Sequence, residues 1–364
     1  MKDKEYKRTE ISSLGEFGLI DHLTKDLPTP NASTLKGVGD DCAVLDYNSG
    51  KRVLVTTDML MEGVHFDLSY TPLKHLGYKA AVVNISDICA MNGTPKQITV
   101  SLALSKKFGL EDVEELYAGI RIACEKYGVD IIGGDTSASL TGLAISITCI
   151  GEADADKIVY RNGAKENDLI CVTGDLGAAY MGLLFLEREN KVFQQTGARP
   201  DSDGAEFASR NYIIERQLKP EARKDIIEAL ERIKVVPTSM MDISDGLSSE
   251  LLHICKQSNV GCRIYEDRIP IDYQTAVMAE EVNMNVTTVA LHGGEDYELL
   301  FTVPLEMNDV FQNLPGVKII GHTTKPELGS YLICRDGQEF QLKAQGWNAF
   351  TSETGDDTHQ NEQQ

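Results

Sequence analysis

The sequence predicts an α/β (α+β) chain of two domains. Its 364 residues suffice for two cores. Strand-like apolar runs alternate with helix-like periodic runs in two successive series, one on either side of a polar stretch at about Asp154–Lys165. A composition of 42% hydrophobic and 25% charged residues is that of a globular protein. We therefore expect domains at residues 1–155 and 156–350. The segment 351–364 is polar and reads as a disordered tail.

In the first series, Glu16–Lys25 places Phe17, Ile20 and Leu23 on one helical face. Gly37–Leu45 reads as a glycine turn entering a strand, with Asp40 and Asp41 at its mouth. Arg52–Asp58 is a strand ending in Thr56, Thr57 and Asp58, and Met59–Phe66 is a loop carrying His65. Pro72–Met91 predicts a helix apolar nearly all round, hence buried. Asp87 lies inside that run, where a charge needs a salt-bridge partner or a metal. Gln97–Leu104 is a strand, and Leu110–Tyr127 an amphipathic helix with Leu116, Tyr117 and Ile120 on its apolar stripe. Val129–Ile132 reads as a short strand running into a turn at Gly133-Gly134-Asp135-Thr136. Leu143–Gly151 closes the series as another strand.

The second series opens with strand Asp168–Thr173, helix Leu176–Arg188 and a polar loop at Asn190–Gly204. Helices follow at Ala205–Gln217 and Glu221–Ile233. Met240–Glu250 (MMDISDGLSSE) then sets Asp242 and Asp245 at a tight turn, with helix Leu247–Lys256 behind it. Asp and Ser at such a turn can cap the helix, and the two carboxylates can also share a hard cation. Strand Cys262–Tyr265 follows, then Gly293-Gly294-Glu295-Asp296 leading into strand Tyr297–Val303, and strands Val317–Gly321 and Tyr331–Arg335. Asn84-Ile-Ser-Asp87 in the first series echoes Asp242-Ile-Ser-Asp245 in the second.

Bulk properties exclude several functions. A net charge of -21 and a pI of about 4.7 repel phosphate backbones, which argues against a nucleic-acid partner. None of the eight cysteines forms a CxxC pair, and most sit in apolar surroundings, the pattern of buried free thiols in a cytosolic protein. The N-terminus carries no apolar signal segment, and the chain has no apolar run of about 18 residues, so we expect a cytoplasmic protein off the membrane.

The chemistry-bearing residues share one design: an acid at a glycine turn, at the end of an apolar element or inside a buried helix. They are Asp40/Asp41, Asp58, Asp87, Asp135 and Asp242/Asp245. Brought together, these acids would repel one another unless cations neutralised them. Mg²⁺ takes one or two protein carboxylates and completes its shell with water and phosphate oxygens. So many acids therefore imply several Mg²⁺ ions on a polyphosphate, which is the setting of phosphoryl transfer. The usual nucleotide motifs are missing: there is no GxxxxGK[ST] loop and no HRD or DFG triplet.

Gly39-Asp-Asp-Cys-Ala, Thr56-Thr-Asp58, His65-Phe66, Asn84-Ile-Ser-Asp87, Gly133-Gly-Asp-Thr136, Asp242-Ile-Ser-Asp-Gly-Leu247 and Gly293-Gly-Glu-Asp-Tyr-Glu-Leu299 occur in this order. Together they resemble the thiamine-monophosphate kinases, of the superfamily that includes aminoimidazole ribonucleotide synthetase and selenophosphate synthetase. Gly15-Glu-Phe and Gly346-Trp-Asn-Ala-Phe350 favour this member. The resemblance implies ATP- and Mg²⁺-dependent phosphorylation of thiamine monophosphate to thiamine diphosphate. It implies a homodimer whose N-terminal sheets form a β-barrel across the interface, and a C-terminal α/β domain completing the site. By position it implies Asp41, Thr57, Asp58, Asp87, Asp135, Asp242 and Asp245 as metal ligands, with Asp41, Asp58, Asp242 and Asp245 central to catalysis. Thr56, Tyr117, Gly134, Arg161 and Ser244 would touch ATP, and His65, Glu295 and Trp347 the thiamine phosphate.

Elementary chemistry agrees with part of this. A phosphate monoester is mostly ionised at neutral pH and needs no general base. Arg161 offers a fork for phosphate, and Trp347 a face for a cationic ring. Tyr117 also reads as core packing, His65 as a loop histidine, Trp347 as an anchor and Glu295-Asp296 as a turn. Two alternatives stand beside the kinase. One is another ATP-using enzyme of the superfamily, against whose selenide branch counts the absence of Cys before Gly37. The other is a non-catalytic nucleotide-binding paralogue, which would have lost acids that this chain keeps.

Overall fold

Two β-sheets meet along a buried helix. The computed structural model describes residues 32–36, 39–47, 50–197 and 205–344. The expected helix at Glu16–Lys25, Trp347, the tail 351–364 and residues 198–204 lie outside these.

The first sheet has six strands in the order β1-β2-β3-β6-β4-β5: β1 Thr34–Lys36, β2 Ala43–Leu45, β3 Lys51–Met61, β4 Thr94–Leu104, β5 Asp130–Ala138 and β6 Leu143–Asp154. Its inner face is covered by α1, Leu73–Ala90, against which α2, Leu110–Tyr127, packs. The approach of α1 to α2 needs a reciprocal pair of glycines. A β-carbon on Gly77 would lie 1.9 Å from the Leu116 carbonyl oxygen, and one on Gly119 would lie 1.8 Å from that of Lys74. The all-round apolar run of α1 is buried as its sequence requires, from Leu76 to Ser86 without a break.

The second sheet has seven strands in the order β13-β12-β9-β11-β7-β10-β8: β7 Leu169–Thr173, β8 Ser239–Asp242, β9 Gly261–Tyr265, β10 Leu299–Val303, β11 Val317–Thr324, β12 Ser330–Ile333 and β13 Glu339–Gln341. Its helices are α3 Ala178–Thr196, α4 Ala205–Leu218, α5 Lys224–Ile233, α6 Leu247–Ser258, α7 Tyr273–Glu281, α8 Val286–His292 and α9 Asn308–Gln312. Strand alternation gives this sheet two apolar faces. Leu299, Phe301, Val303 and Met240 join the core of the first sheet and α1, while Leu300, Met241, Ile170 and Val172 join a second core with α6 and α8. One core thus runs across both sequence series.

Three expectations are corrected. The strand at Val129–Ile132 does not stop before a glycine turn: β5 continues through Gly133 and Gly134 to Ala138. These glycines serve close approach, since a β-carbon on Gly134 would lie 1.9 Å from the Val100 carbonyl oxygen. The polar loop expected from Asn190 is helical to Thr196, where Gly197 ends α3 in the left-handed conformation at φ 67°. The side-chain cap expected at α6 is missing, because its N-cap is Gly246, at φ 129°. The glycine there avoids a β-carbon that would sit 3.0 Å from the His292 backbone.

We predict that Gly119→Val lowers stability by roughly 3 kcal/mol, because overpacking against a helix backbone outweighs the gain in helix propensity. A urea midpoint equal to wild type would show that α1 and α2 can move apart freely.

Candidate active site

Four buried or half-buried carboxyls converge where α1 passes the end of β8. Asp41 precedes β2 and is 9% exposed, and Asp242 ends β8 at 4%. Asp87 sits in the last turn of α1 and Asp58 in β3. Oxygens of Asp41, Asp87 and Asp242 all lie within 4.8 Å of one another. β3 alternates, so Thr56 and Asp58 turn to the α1 side, and the hydroxyl of Thr56 donates to Asp87 Oδ2 at 2.5 Å. The backbone N–H of Asp58 donates to Asn84 Oδ1 at 3.0 Å. Ser86, fully buried, donates its hydroxyl to Asp242 Oδ2 at 2.5 Å, joining helix to second sheet.

The electrostatics are those of crowded acids taken from water. Burial, then the field of Asp41, pushes the Asp58 carboxyl up to about 6. Burial and Asp41 push Asp242 up to about 7, against the pull of the Ser86 hydrogen bond and of Arg161. Burial raises Asp87 well above the carboxylate range, and Asp58, Asp242 and Asp41 add to it. Asp41 is raised by burial as well, although Arg161 opposes the shift. Arg161 forks onto Asp41 with Nη2–Oδ1 at 2.8 Å and Nε–Oδ2 at 3.3 Å, and its backbone N–H donates to Asp40. An all-oxygen set of this kind fits a hard divalent cation, which would remove the repulsion.

The second-sheet half of the site is two turns zipped together. The N–H of Glu295 donates to Ser244 O at 2.7 Å and that of Tyr297 to Ile243 O at 2.9 Å. Glu295 and Tyr297 are both left-handed, at φ 66° and 52°, a strained arrangement for side-chain-bearing residues. Gly294 must be bare, because a β-carbon would lie 2.5 Å from Ser244 O. Asp245 presents its N–H to Glu250 Oε1 at 2.9 Å, which fixes the turn behind Asp242. Glu295 in turn pairs with Lys79 Nζ at 2.9 Å. His65 lies in the field of both: burial lowers its pKa, Glu295 raises it and Lys79 lowers it.

The sheet separates two expected ligands from this cluster. The Thr57 side chain points to the opposite face, where its hydroxyl donates to Ile147 O at 3.0 Å. Asp135 pairs with Ser101, Ser101 with Ser146 and Ser146 with Met59, a row on the same face as Thr57. β5 is exposed along its whole length, so Gly134 and Asp135 stand at the sheet edge. Tyr117 is partly buried against the core, as the packing alternative required. Trp347 is outside the described residues.

Sequence reasoning missed Lys79, Ser86, Asn84 and Glu250. Lys79 carried the signal that singled out Asp87, a charge inside an apolar helix.

Comparison with known proteins follows the same residues. The AIR synthase related protein, N-terminal domain, matches residues 39–153, and the AIR synthase related protein, C-terminal domain, matches 165–331. Thiamine-monophosphate kinase of Aquifex aeolicus (strain VF5) is 36% identical over 340 residues, covering 93% of this chain and 99% of that protein. The Bacillus subtilis (strain 168) protein of the same name is 34% identical over 344 residues, covering 93% and 100%. A solved structure of AaThiL complexed with AMPPCP and TMP superposes at a TM-score of 0.78 with 32% identity, covering 94% of this chain and 99% of that one.

The Asp242 carboxyl shifts from 3.8 to about 7, so between these values the folded state binds the extra proton and stability falls as pH rises. In divalent-free buffer at pH 8, Asp242→Asn should therefore melt a few degrees above wild type, with the gap narrowing as pH falls below 7 and closing near 3.8. A variant that melts lower at pH 8 would show that ionised Asp242 stabilises the cation-free fold.

Proposed function

The chain belongs to the thiamine-monophosphate kinase family, and from that premise we propose that it transfers the γ-phosphoryl group of ATP in line to thiamine monophosphate. The products are thiamine diphosphate and ADP, so the reaction is the last step of thiamine diphosphate biosynthesis. The observation that carries this reading is the convergence of Asp41, Asp87 and Asp242 within 4.8 Å, with Asp58 beside them. Asp41, Asp58, Asp87 and Asp242 would hold Mg²⁺ ions there, which would supply positive charge to offset the charge that develops during transfer.

Each residue then has a physical task. Asp41, Asp58, Asp87 and Asp242 present oxygens to the cations, with Asp245 on the adjoining turn. Thr56 and Ser86 each hold one carboxylate oxygen and so leave the other free to bind. Arg161, fixed on Asp41, brings a permanent charge to the phosphate side. Ser244, on the turn that receives Glu295, completes the nucleotide side. Glu295 and His65 face the thiamine moiety. The acceptor phosphate ionises unaided and these residues supply no base.

We further propose a cytoplasmic homodimer in which β5, exposed along all nine residues, lies at the interface where two first sheets close a barrel. No helix among the described residues is long and apolar enough to cross a membrane. The domain limits we propose are 1–155 and 156–350, with the active site between them.

Purified protein incubated with ATP, Mg²⁺ and thiamine monophosphate should form thiamine diphosphate and ADP in equal amounts. Absence of thiamine diphosphate while ATP still binds would overturn the kinase reading. Asp87→Asn should lower kcat by about 10²-fold or more with an unchanged circular dichroism spectrum, because a charge-neutralising group is lost from the transition state. A rate within about threefold of wild type would remove Asp87 from the cation site.

A further inference from the structure

Helix α6 begins behind the turn that carries Asp242 and Asp245 and ends at Ser258, about 18 Å further along its axis. Its far end grips two other stretches of the site. The Ser258 hydroxyl accepts from the backbone N–H of Gly163 at 3.1 Å and of Ala164 at 3.2 Å, and it donates to the Arg161 carbonyl oxygen at 3.4 Å. A hydroxyl has one donor and two acceptor sites. All three go to the turn that bears Arg161. The neighbouring Gln257 donates its Nε2 to Gly39 O at 3.0 Å, at the start of the turn that bears Asp40 and Asp41. The Arg161 turn has a second anchor on β8, where the N–H of Met240 donates to Tyr160 O at 3.0 Å. Gly163 passes so near the residue before β8 that a β-carbon would stand 2.3 Å from Thr238 O. Asn162 and Gly163 are exposed, so hydrogen bonds rather than burial place the tip of this turn.

We infer that Ser258 and Gln257 are positioning residues for the nucleotide phosphates: through the Arg161 and Gly39–Asp41 turns they set the guanidinium and Asp41 against the acids at the other end of α6. The inference rests on the kinase reading above, in which Arg161 faces ATP, and adds to it two residues that act through Arg161 and Asp41 without touching the ligand. Two points of chemistry give these contacts a task. The Arg161 side chain is seated on Asp41, which is itself a proposed cation ligand. A carboxylate that turns an oxygen to a cation holds a guanidinium less firmly, whereas an anchor on the Arg161 backbone does not depend on that carboxylate. The second point is where the loss of the anchors would show. The exposed N–H of Gly163 can turn to water, so removing its acceptor leaves no buried orphan and little changes in stability. What changes is the placement of the guanidinium, and a misplaced group at such a site lowers affinity and rate.

The test is a double-mutant cycle read in nucleotide affinity and turnover. Ser258→Ala should raise the KM for ATP about tenfold and weaken the binding of ADP in Mg²⁺, measured by calorimetry, by a similar factor. The KM for thiamine monophosphate should stay within about twofold. In an Arg161→Ala background the same substitution should change ADP affinity by less than about twofold, because its route of action is gone. Ser258→Thr keeps the hydroxyl and should return ADP affinity to within about threefold of wild type. Equal losses with and without Arg161 would assign Ser258 a structural role only and overturn the inference. So would an unchanged KM for ATP in Ser258→Ala, or a Ser258→Thr protein as impaired as Ser258→Ala. Should Ser258→Ala not fold, Gln257→Met, which removes the contact with Gly39, is measured in its place. Its KM for ATP should rise about threefold, and no rise would overturn the inference. A wild-type protein that binds ADP but forms no thiamine diphosphate would overturn the kinase reading alone, and the ADP arm of the cycle then decides this inference. A wild-type protein that binds no ADP would overturn both.

Discussion

Mutual repulsion among Asp41, Asp58, Asp87 and Asp242 is the constraint around which this structure is arranged. Taking one carboxylate from water is costly, and gathering several is more so. The fold accepts that cost where α1 passes the end of β8 and surrounds it with partial relief: Arg161 on Asp41, the Ser86 hydroxyl on Asp242 and the Thr56 hydroxyl on Asp87. None of these contacts neutralises the whole set. Burial still drives Asp58 up to about 6 and Asp242 up to about 7. The site is therefore short of positive charge by construction, the condition under which an all-oxygen set would hold a hard cation.

Helix α1 is the element that makes such crowding possible. Its face toward the first sheet and α2 is apolar and close-packed, which fixes its axis to within the tolerance of the Gly77 and Gly119 contacts. Polar residues are then placed along a rigid rod: Lys79 toward Glu295, Asn84 toward the Asp58 backbone, Ser86 toward Asp242 and Asp87 into the acid cluster. Asn84 and Ser86 tie this rod to residues of both sheets, so its packing helps set their separation at the site. Misplacement by an ångström at such a site costs more in rate than in stability.

Much of this was legible in the sequence, and the gaps have physical causes. The all-round apolar character of Leu73–Ala90 announced a buried helix, and Asp87 inside it announced a function. The motifs around Asp41, Asp58 and Asp242 gave the cluster before any coordinates. The glycine pair at 133–134 was ambiguous because glycine permits a turn and a close strand approach equally well, and only the Val100 carbonyl oxygen decides between them. The helical stretch 190–196 has no apolar stripe, and its Val192 and Phe193 are exposed, so periodicity could not reveal it. Alternation within β3 should have separated Thr57 from Thr56 and Asp58, since adjacent residues of a strand face opposite ways. The contact of Lys79 with Gln217 spans 138 residues, and no local pattern encodes a partner at that distance.

On the proposed reading, ionisation of the acids and binding of cations would be one event at this site. Burial raises Asp58 to about 6, Asp242 to about 7 and Asp87 well above the carboxylate range, and a protonated carboxyl is a poor ligand for a hard cation. Binding of a cation would therefore compete with protons for these carboxyls. The hydroxyls of Thr56 and Ser86 favour the charged carboxylates. On the opposite side of the site, the Lys79–Glu295 pair already has its charges matched. Gln217 adds a neutral amide to that pair, its Nε2 donating to Glu295 Oε2 at 2.9 Å.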